Sequence, residues 1–217
     1  VSAVREGRNI FANIRKAVQF LLSSNIGEIL AVFAGLMFGW ASPLTATQLL
    51  WVNLVTDSLP AIALGLDPPE KDIMKKPPRD AKKSLFADGL WGAIVFEGLM
   101  IGSLALLAFS IGVNVFGSLS IGRTMAFAVL SLSELVHAFN MRSEKSVLRA
   151  GIFKNMYLVG AFLLGAALEA AVIMIPALNS VFNVVPLTPL QWLITAVLSV
   201  MPLVIVELQK AVTEFFT

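Results

Sequence analysis

The sequence predicts an all-α fold, a polytopic membrane protein built as a bundle of six transmembrane helices. Three observations predict it. Of 217 residues, 57% are hydrophobic and 14% charged, with a mean hydropathy of +0.83. A soluble domain carries about 25% charge and keeps a polar face on each helix. Six apolar runs reach the roughly 20 residues needed to cross a bilayer. Once those runs are taken as spans, fifteen of the sixteen Lys and Arg fall on one side. The same composition excludes disorder, which needs low hydrophobicity and high charge. With no cysteine there is no disulfide, thiolate metal site or cysteine nucleophile, and one histidine is too few for a histidine cluster. The chain begins Val1-Ser2-Ala3, with neither an initiator methionine nor a signal-peptide pattern, and is expected to be a piece of a longer protein.

The first span covers residues 17–40 and is closed by Ser42-Pro43. The second covers 47–66 and ends at Asp67-Pro68-Pro69. The third covers 90–113, the fourth 124–140, the fifth 156–178 with Pro176 near its end, and the sixth 190–208. Arg5, Arg8, Arg15 and Lys16 precede the first span. Lys71, Lys75, Lys76, Arg79, Lys82 and Lys83 follow the second, Arg142, Lys145, Arg149 and Lys154 follow the fourth, and Lys210 follows the sixth. Only Arg123 lies on the other side. By the positive-inside bias the basic side is cytoplasmic, and both termini share it. The opposite connections, 41–46, 114–122 and 179–189, are short and nearly uncharged. The basic loop 67–88 reads either as a solvated positive-inside loop or as a docking surface for another domain. No 20–50-residue repeat and no inverted halves are apparent. Gly35/Gly39 and Gly98/Gly102 are small-residue pairs that read either as chance occurrences in glycine-rich membrane helices or as close-approach motifs, in which case the first and third spans pack together. Tyr157, Trp40, Trp51, Trp91 and Trp192 suit interfacial belts.

Six carboxylates fall in or near the spans: Glu28, Asp57, Glu97, Glu134, Glu169 and Glu207. Glu207 is near the cytoplasmic end of its span and can reach water. For the deeper ones no Lys or Arg lies at the same depth, so protons or bound cations must balance them, and such groups usually serve function. Asn25 and Glu28, three apart, share a helix face, as do Asn53, Thr56 and Asp57 at i, i+3 and i+4. All five offer oxygen, the donor that hard cations such as Ca²⁺ take in sets of about 6–8. Glu134 is a further candidate ligand. Glu97 and Glu169 alone read equally as protonated structural groups. His137, three residues after Glu134, reads as a hydrogen-bonder at the helix end rather than a ligand.

Longer motifs carry a resemblance. The run Ser23-Ser24-Asn25-Ile26-Gly27-Glu28 resembles the fifth transmembrane helix of the P-type Ca²⁺-transporting ATPases. The run from Gln48 through Trp51, Asn53, Thr56, Asp57 and Pro60 to Ala61 is similar to their sixth. Pro68-Pro69-Glu70, Asp72-Ile73-Met74 and Pro77-Pro78-Arg79 match the loop that follows it. The opening Arg5-Glu6-Gly7-Arg8-Asn9-Ile10 resembles the stalk, here residues 1–16, that feeds the fifth helix. The resemblance spans residues 1–217, as the C-terminal six-helix half of the membrane domain, helices five to ten.

What the resemblance implies is specific. In the sarcoplasmic-reticulum-like branch the matching Asn25, Glu28, Thr56, Asp57 and Glu134 form one calcium site, and Asn53 and Asp57 contribute to a second. Plasma-membrane and secretory-pathway pumps share the pattern around Asn53 and Asp57, and the pair Glu28 plus Glu134 favours the two-site branch. The family's Asp-Lys-Thr-Gly-Thr phosphorylation motif, nucleotide-binding domain and proline-interrupted fourth helix do not occur here, so this part alone is not expected to hydrolyse ATP. Ca²⁺ would be the transported ion, while ATP and Mg²⁺ belong to the full-length parent. The expected partners are the lipid bilayer, the missing N-terminal helices and the cytoplasmic phosphorylation domain; no nucleic acid is among them. Phosphorylation would tilt the stalk and reshape the oxygen cage, the vacated carboxylates would take protons, and the loop 67–88 would touch the phosphorylation domain. In a bacterium the location would be the plasma membrane. A freestanding scaffold or channel-like module, and the same pump with Mn²⁺, Na⁺ or H⁺, stay open as alternatives.

Overall fold

The computed structural model describes residues 2–69, 73–75, 84–87, 89–143 and 146–216. Most of the basic loop, including Lys71, Lys76, Arg79, Lys82 and Lys83, lies outside the described residues, as does Lys145. Every regular element described is helical: α1 (Ser2–Met37), α2 (Ala46–Trp51), a π-helical stretch (Val52–Asp57), α3 (Ser58–Gly65), α4 (Leu90–Asn114), α5 (Leu119–Asn140), α6 (Val147–Ala150), a 3-10 turn (Ile152–Lys154), α7 (Met156–Met174), α8 (Pro176–Phe182) and α9 (Pro189–Phe216). Five of these, α1, α4, α5, α7 and α9, are unbroken helices long and apolar enough to cross a membrane.

The second expected span is present as one helical run from 46 to 65 that changes character midway. It opens with a capping box, in which the Thr45 hydroxyl accepts from the Gln48 N–H and the Gln48 side chain accepts from the Thr45 N–H. It then widens to π geometry over Val52–Asp57 and returns to α. Pro60 supplies a local reason. A proline has no N–H for the carbonyl four residues earlier, that of Thr56, and its ring crowds that carbonyl. The Ser58 hydroxyl donates to the Asn53 carbonyl at 2.9 Å, five residues back, and fits the wider turn.

Other boundaries move for equally local reasons. The expected stalk, 1–16, is continuous with the first span. That helix stops at Met37, before 40, because Gly39 takes a left-handed conformation (φ +70°). Its N–H then bonds the Leu36 carbonyl and the Trp40 N–H bonds that of Gly35. The fourth span begins at Leu119 rather than 124, capped by the Ser118 hydroxyl. The fifth ends at Met174, since Pro176 forces Ile175 into an extended conformation and starts α8. Pro202, by contrast, stays inside α9.

The least hydropathic span, α5, is the most buried: 67% of its apolar window lies inside the protein, against 33–50% for the other spans. That inversion suits a bilayer, where polar side chains are sheltered by protein while apolar ones face lipid. α5 packs on α4, α9 and α7. α1 packs on α4 and α3, and α3 on α7. The small-residue expectation holds in part. Gly98 and Gly102 do seat α4 on α1, but against Gly27. A Cβ on Gly102 would fall 2.7 Å from the Gly27 carbonyl oxygen, and one on Gly98 would fall 2.8 Å from that of Ser23. Gly35 faces Pro43 instead, and Gly39 is outside the helix.

The connections gather at two ends, as the charge sorting requires. At one end Arg123 Nε donates to the Ser42 carbonyl (2.9 Å), Gln48 Nε2 to that of Phe182 (3.0 Å), and the Val185 N–H to the Thr124 hydroxyl (3.0 Å). The basic end is organised by Asp67, which is buried. Its carboxylate takes Lys16 Nζ, Arg142 Nε and Asn155 Nδ2, each at 3.0 Å, and its carbonyl takes Asn13 Nδ2 at 2.8 Å. One side chain thereby joins α1, the end of α3, the segment after α5 and the start of α7.

Candidate functional site

Halfway along the bundle, α1, the π-helical stretch and α5 bring carboxylates together. Glu28 on α1 is buried, and the Asn53 amide donates to both its oxygens, at 2.9 and 2.8 Å, as well as to the Leu49 carbonyl at 3.0 Å. Thr56 is fully buried. Its hydroxyl donates to the Val52 carbonyl at 3.0 Å and lies 3.4 Å from Glu134 Oε2. Asp57 sits between these pairs, within electrostatic reach of Glu28 and of Glu134. It is 1% exposed, yet neither of its carboxylate oxygens accepts a hydrogen bond from the protein. Glu134 Oε1 and the Ser24 hydroxyl, beside Asp57, are also buried without a protein partner.

Such a concentration of unsatisfied oxygen is costly. A buried polar group without a hydrogen bond loses roughly 1–3 kcal/mol, and a charged one loses more. The oxygens are hard donors with no thiolate or imidazole among them, so the chemistry they can perform is to hold protons or a hard cation.

Of the six predicted ligands, the structure groups five, Glu28, Asn53, Thr56, Asp57 and Glu134, and splits them. The i, i+3, i+4 stripe on the second span does not stay on one face, because the wider π turn rotates Asn53 away from Thr56 and Asp57. Asn53 is exposed and turned to Glu28, whereas Thr56 and Asp57 are buried toward α5. Asn25 stands apart: its amide donates to the Leu21 carbonyl of its own helix at 2.6 Å, and no described hydrogen bond ties it to the other five. Among the described residues no three acidic or imidazole side chains converge tightly enough to hold an ion by themselves. Beside Glu28 a groove of about 300 Å³ opens on the bundle surface, lined also by Ile29, Val32, Phe33, Leu36 and Leu49.

Three groups next to the cage were not singled out as site residues from the sequence. Ser24 and Ser131 look like ordinary small residues, and only their burial without partners marks them. Trp51, expected in an interfacial belt, instead donates Nε1–H to Glu169 Oε2 at 2.9 Å and packs edge-on against Phe182. Glu169 is fully buried on α7, near Ser131, with its Oε1 unpartnered.

Comparisons with known proteins agree with this architecture. Residues 41–212 match the family described as "Cation transporting ATPase, C-terminus". The chain is 46% identical to calcium-transporting ATPase 1 of Bacillus cereus over 227 aligned residues, covering 97% of this chain and 26% of that protein. It is 45% identical to the calcium-transporting ATPase of Bacillus subtilis over 202 residues (93% and 23%), and 37% identical to one of Listeria monocytogenes over 218 residues (100% and 24%). The chain thus spans about a quarter of the length of these relatives. With a match over most of its length, a bundle of membrane-type helices and a buried set of oxygen donors at mid-depth, this chain belongs to the cation-transporting ATPase C-terminal family.

Proposed function

We propose that the chain is the ion-binding membrane part of an ATP-driven pump that transports Ca²⁺ and returns protons. Asn25, Glu28, Asn53, Thr56, Asp57 and Glu134 supply oxygens to the ion. The observation that carries this reading is Asp57, a carboxylate buried to 1% with both oxygens unpartnered, set between Glu28–Asn53 and Thr56–Glu134. A buried carboxylate pair in so little water needs a cation or protons, and the two exchange naturally across a transport cycle.

The Asn53 amide acts as a latch. Its N–H groups occupy both Glu28 oxygens. Turning the amide frees both Glu28 oxygens and offers the Asn53 carbonyl oxygen instead. Asn25 joins by the same change, its amide nitrogen staying on the Leu21 carbonyl while its own carbonyl oxygen turns inward. When the ion leaves, Glu28, Asp57 and Glu134 take up protons, because uncompensated carboxylates at that depth are too costly to persist.

Residues 1–16 serve as the stalk through which the phosphorylation domain moves α1, and the loop 67–88 contacts that domain. The basic end is cytoplasmic, with both termini on it, and the location is the bacterial plasma membrane. The groove beside Glu28 is covered by N-terminal helices of the longer protein. ATP and Mg²⁺ act there, outside this chain.

The test uses the pump at the full length of its relatives. Asp57→Asn abolishes phosphorylation by ATP that depends on Ca²⁺, while phosphorylation by inorganic phosphate in its absence persists. Unchanged Ca²⁺ activation in Asp57→Asn refutes the ligand assignment. Calorimetric titration with Ca²⁺, Mn²⁺ and Na⁺ identifies the ion, and tighter binding of Mn²⁺ or Na⁺ than Ca²⁺ overturns the choice of Ca²⁺.

A further inference from the structure

On the basic-end side of the cage, a second polar chain crosses the bundle through side chains that the transport reading does not use. Glu97 of α4 is 5% exposed and His137 of α5 is fully buried. Gln19 of α1 donates to Glu97 Oε1 at 2.7 Å. Glu97 Oε2 faces His137 Nε2 at 3.6 Å, too long for a hydrogen bond, and neither atom has another protein partner. On the far side of the ring, Nδ1 lies 3.2 Å from Asn140 Nδ2, which also donates to the Pro202 carbonyl of α9 at 3.0 Å.

That last bond fixes the chemistry of the ring. A carbonyl can only accept, so it holds the Asn140 amide with its nitrogen toward the imidazole and leaves Asn140 Oδ1 buried and unpartnered. An N–H directed at Nδ1 makes Nδ1 the acceptor. The proton of the neutral ring therefore sits on Nε2, aimed across the gap at Glu97. The side chains and carbonyl that contact the pair and its Asn140 amide are Gln19, Asn140 and the Pro202 carbonyl, all neutral, while the α9 cation Lys210 bonds the Asn140 and Ser143 carbonyls. The nearby α1 cations Arg15 and Lys16 bond the Ala87 carbonyl and Asp67, α5's own Glu134 faces Thr56, and Glu169 of α7 is held by Trp51.

We propose that Glu97 and His137 form a second proton-binding site, separate from the cation cage, that takes up one proton by relay through the imidazole. The incoming proton binds Nδ1 as the Asn140 amide turns, so that its free Oδ1 accepts the new N–H. The ring passes its Nε2 proton across the gap to Glu97 Oε2. The result is a neutral carboxylic acid donating to Nε2 and a ring carrying its proton on Nδ1; one proton has been taken from water and none lost. The turn of Asn140 releases the Pro202 carbonyl, so loading of the site is felt by α9. This assignment stands whichever ion the cage carries.

His137 is the only histidine in the chain, so the ring can be watched alone. The 217-residue chain is labelled with ¹⁵N-histidine in lipid nanodiscs and its imidazole nitrogens are followed against pH. The expected result is an Nε2–H ring at high pH that changes to an Nδ1–H ring as pH falls. In Glu97→Gln the Nε2–H form persists where the unmodified chain has already changed. In Gln19→Leu, which removes a donor from the carboxylate, the changeover occurs at a proton concentration about tenfold lower or less. An Nδ1–H ring already at high pH overturns the proposal, as does an identical changeover in Glu97→Gln. Should Glu97→Gln not fold, an unmoved changeover in Gln19→Leu overturns it equally.

Discussion

Asp67 offers the sharpest test of how the bundle is held, because its partners sit on three other segments and are buried or nearly so. Asp67→Ala deletes the acceptor of Lys16, Arg142 and Asn155 together. The Arg142 side chain is 5% exposed and that of Lys16 13%, so two cations lose their counter-charge where water reaches them poorly. Breaking a buried pair by removing one partner costs about 3–5 kcal/mol. Arg142 keeps the Gly151 carbonyl at 2.8 Å and Asn155 keeps that of Ala63 at 2.9 Å, which places the expected loss at the lower end, about 3 kcal/mol. For a chain of this size that is a fall in Tm on the order of 10 °C. Asp67→Asn keeps one acceptor oxygen and falls by less. The assay is thermal unfolding in nanodiscs, run as a cycle with Arg142→Leu. The double variant Asp67→Ala/Arg142→Leu leaves one fewer stranded charge, so its loss is smaller than the sum of the two single losses. Strict additivity, or a loss in Asp67→Ala under about 1 kcal/mol, the scale of an exposed ion pair, refutes the clamp.

Other consequences follow from single contacts. Gly102→Val drives a side chain into the Gly27 carbonyl, backbone that cannot yield, and into the Leu30 side chain, and costs about 1–3 kcal/mol in thermal unfolding, whereas Gly160→Ala, with nothing within 4 Å, is neutral or stabilising. Trp51→Phe keeps the ring against Phe182 but strips the N–H from Glu169, and loses about 1–3 kcal/mol; if it unfolds like the unmodified chain, that hydrogen bond does not contribute. Lys210→Met uncaps the Asn140 and Ser143 carbonyls at the C-terminal end of α5, and faster amide exchange confined to that end of the helix is the expected signature.

Topology was legible in the sequence because bilayer constraints act on composition alone. Apolar length sets the spans, and the charge bias sorts their connections. The same residue type still gave different outcomes where neighbours decide. Pro176 breaks a helix while Pro202 does not, since a proline inside a packed membrane helix is tolerated when surrounding groups re-satisfy the backbone. Residue type and spacing grouped Asn25 with Glu28, and Asn53 with Thr56 and Asp57, whereas the structure sets Asn53 on Glu28 and Thr56 beside Glu134. That division did not follow from spacing, because it depends on a π turn that no α-helical periodicity describes. Pro60 was its visible signal. Glu97 looked like an isolated carboxylate because Gln19, which bonds it, is 78 positions away. Asp67 looked like the first residue of a loop for the same reason: its role exists only once four distant segments meet.

The two elements that face each other across Glu28 differ in stiffness, and that difference decides where a movement of the N-terminal part of α1 is felt. α1 is one unbroken helix from Ser2 to Met37, and the 1.5 Å rise per residue puts Glu28 roughly 22 Å along it from Asn13. Its partner is interrupted at Val52–Asp57. Near Asn13 the two are pinned together, through the Asn13 amide on the Asp67 carbonyl and Lys16 on the Asp67 carboxylate. A force applied to the start of α1 therefore cannot slide it past α3 at the pin. It must appear as rotation further along, where the partner's regular ladder has already been given up. Thr56 is held there by Glu134 on the most buried helix of the bundle, while Asn53 is exposed and held by Glu28 alone among the cage groups. In the proposed pump the Glu28–Asn53 contact consequently yields before the Thr56–Glu134 contact, and the ion loses its α1 ligands first.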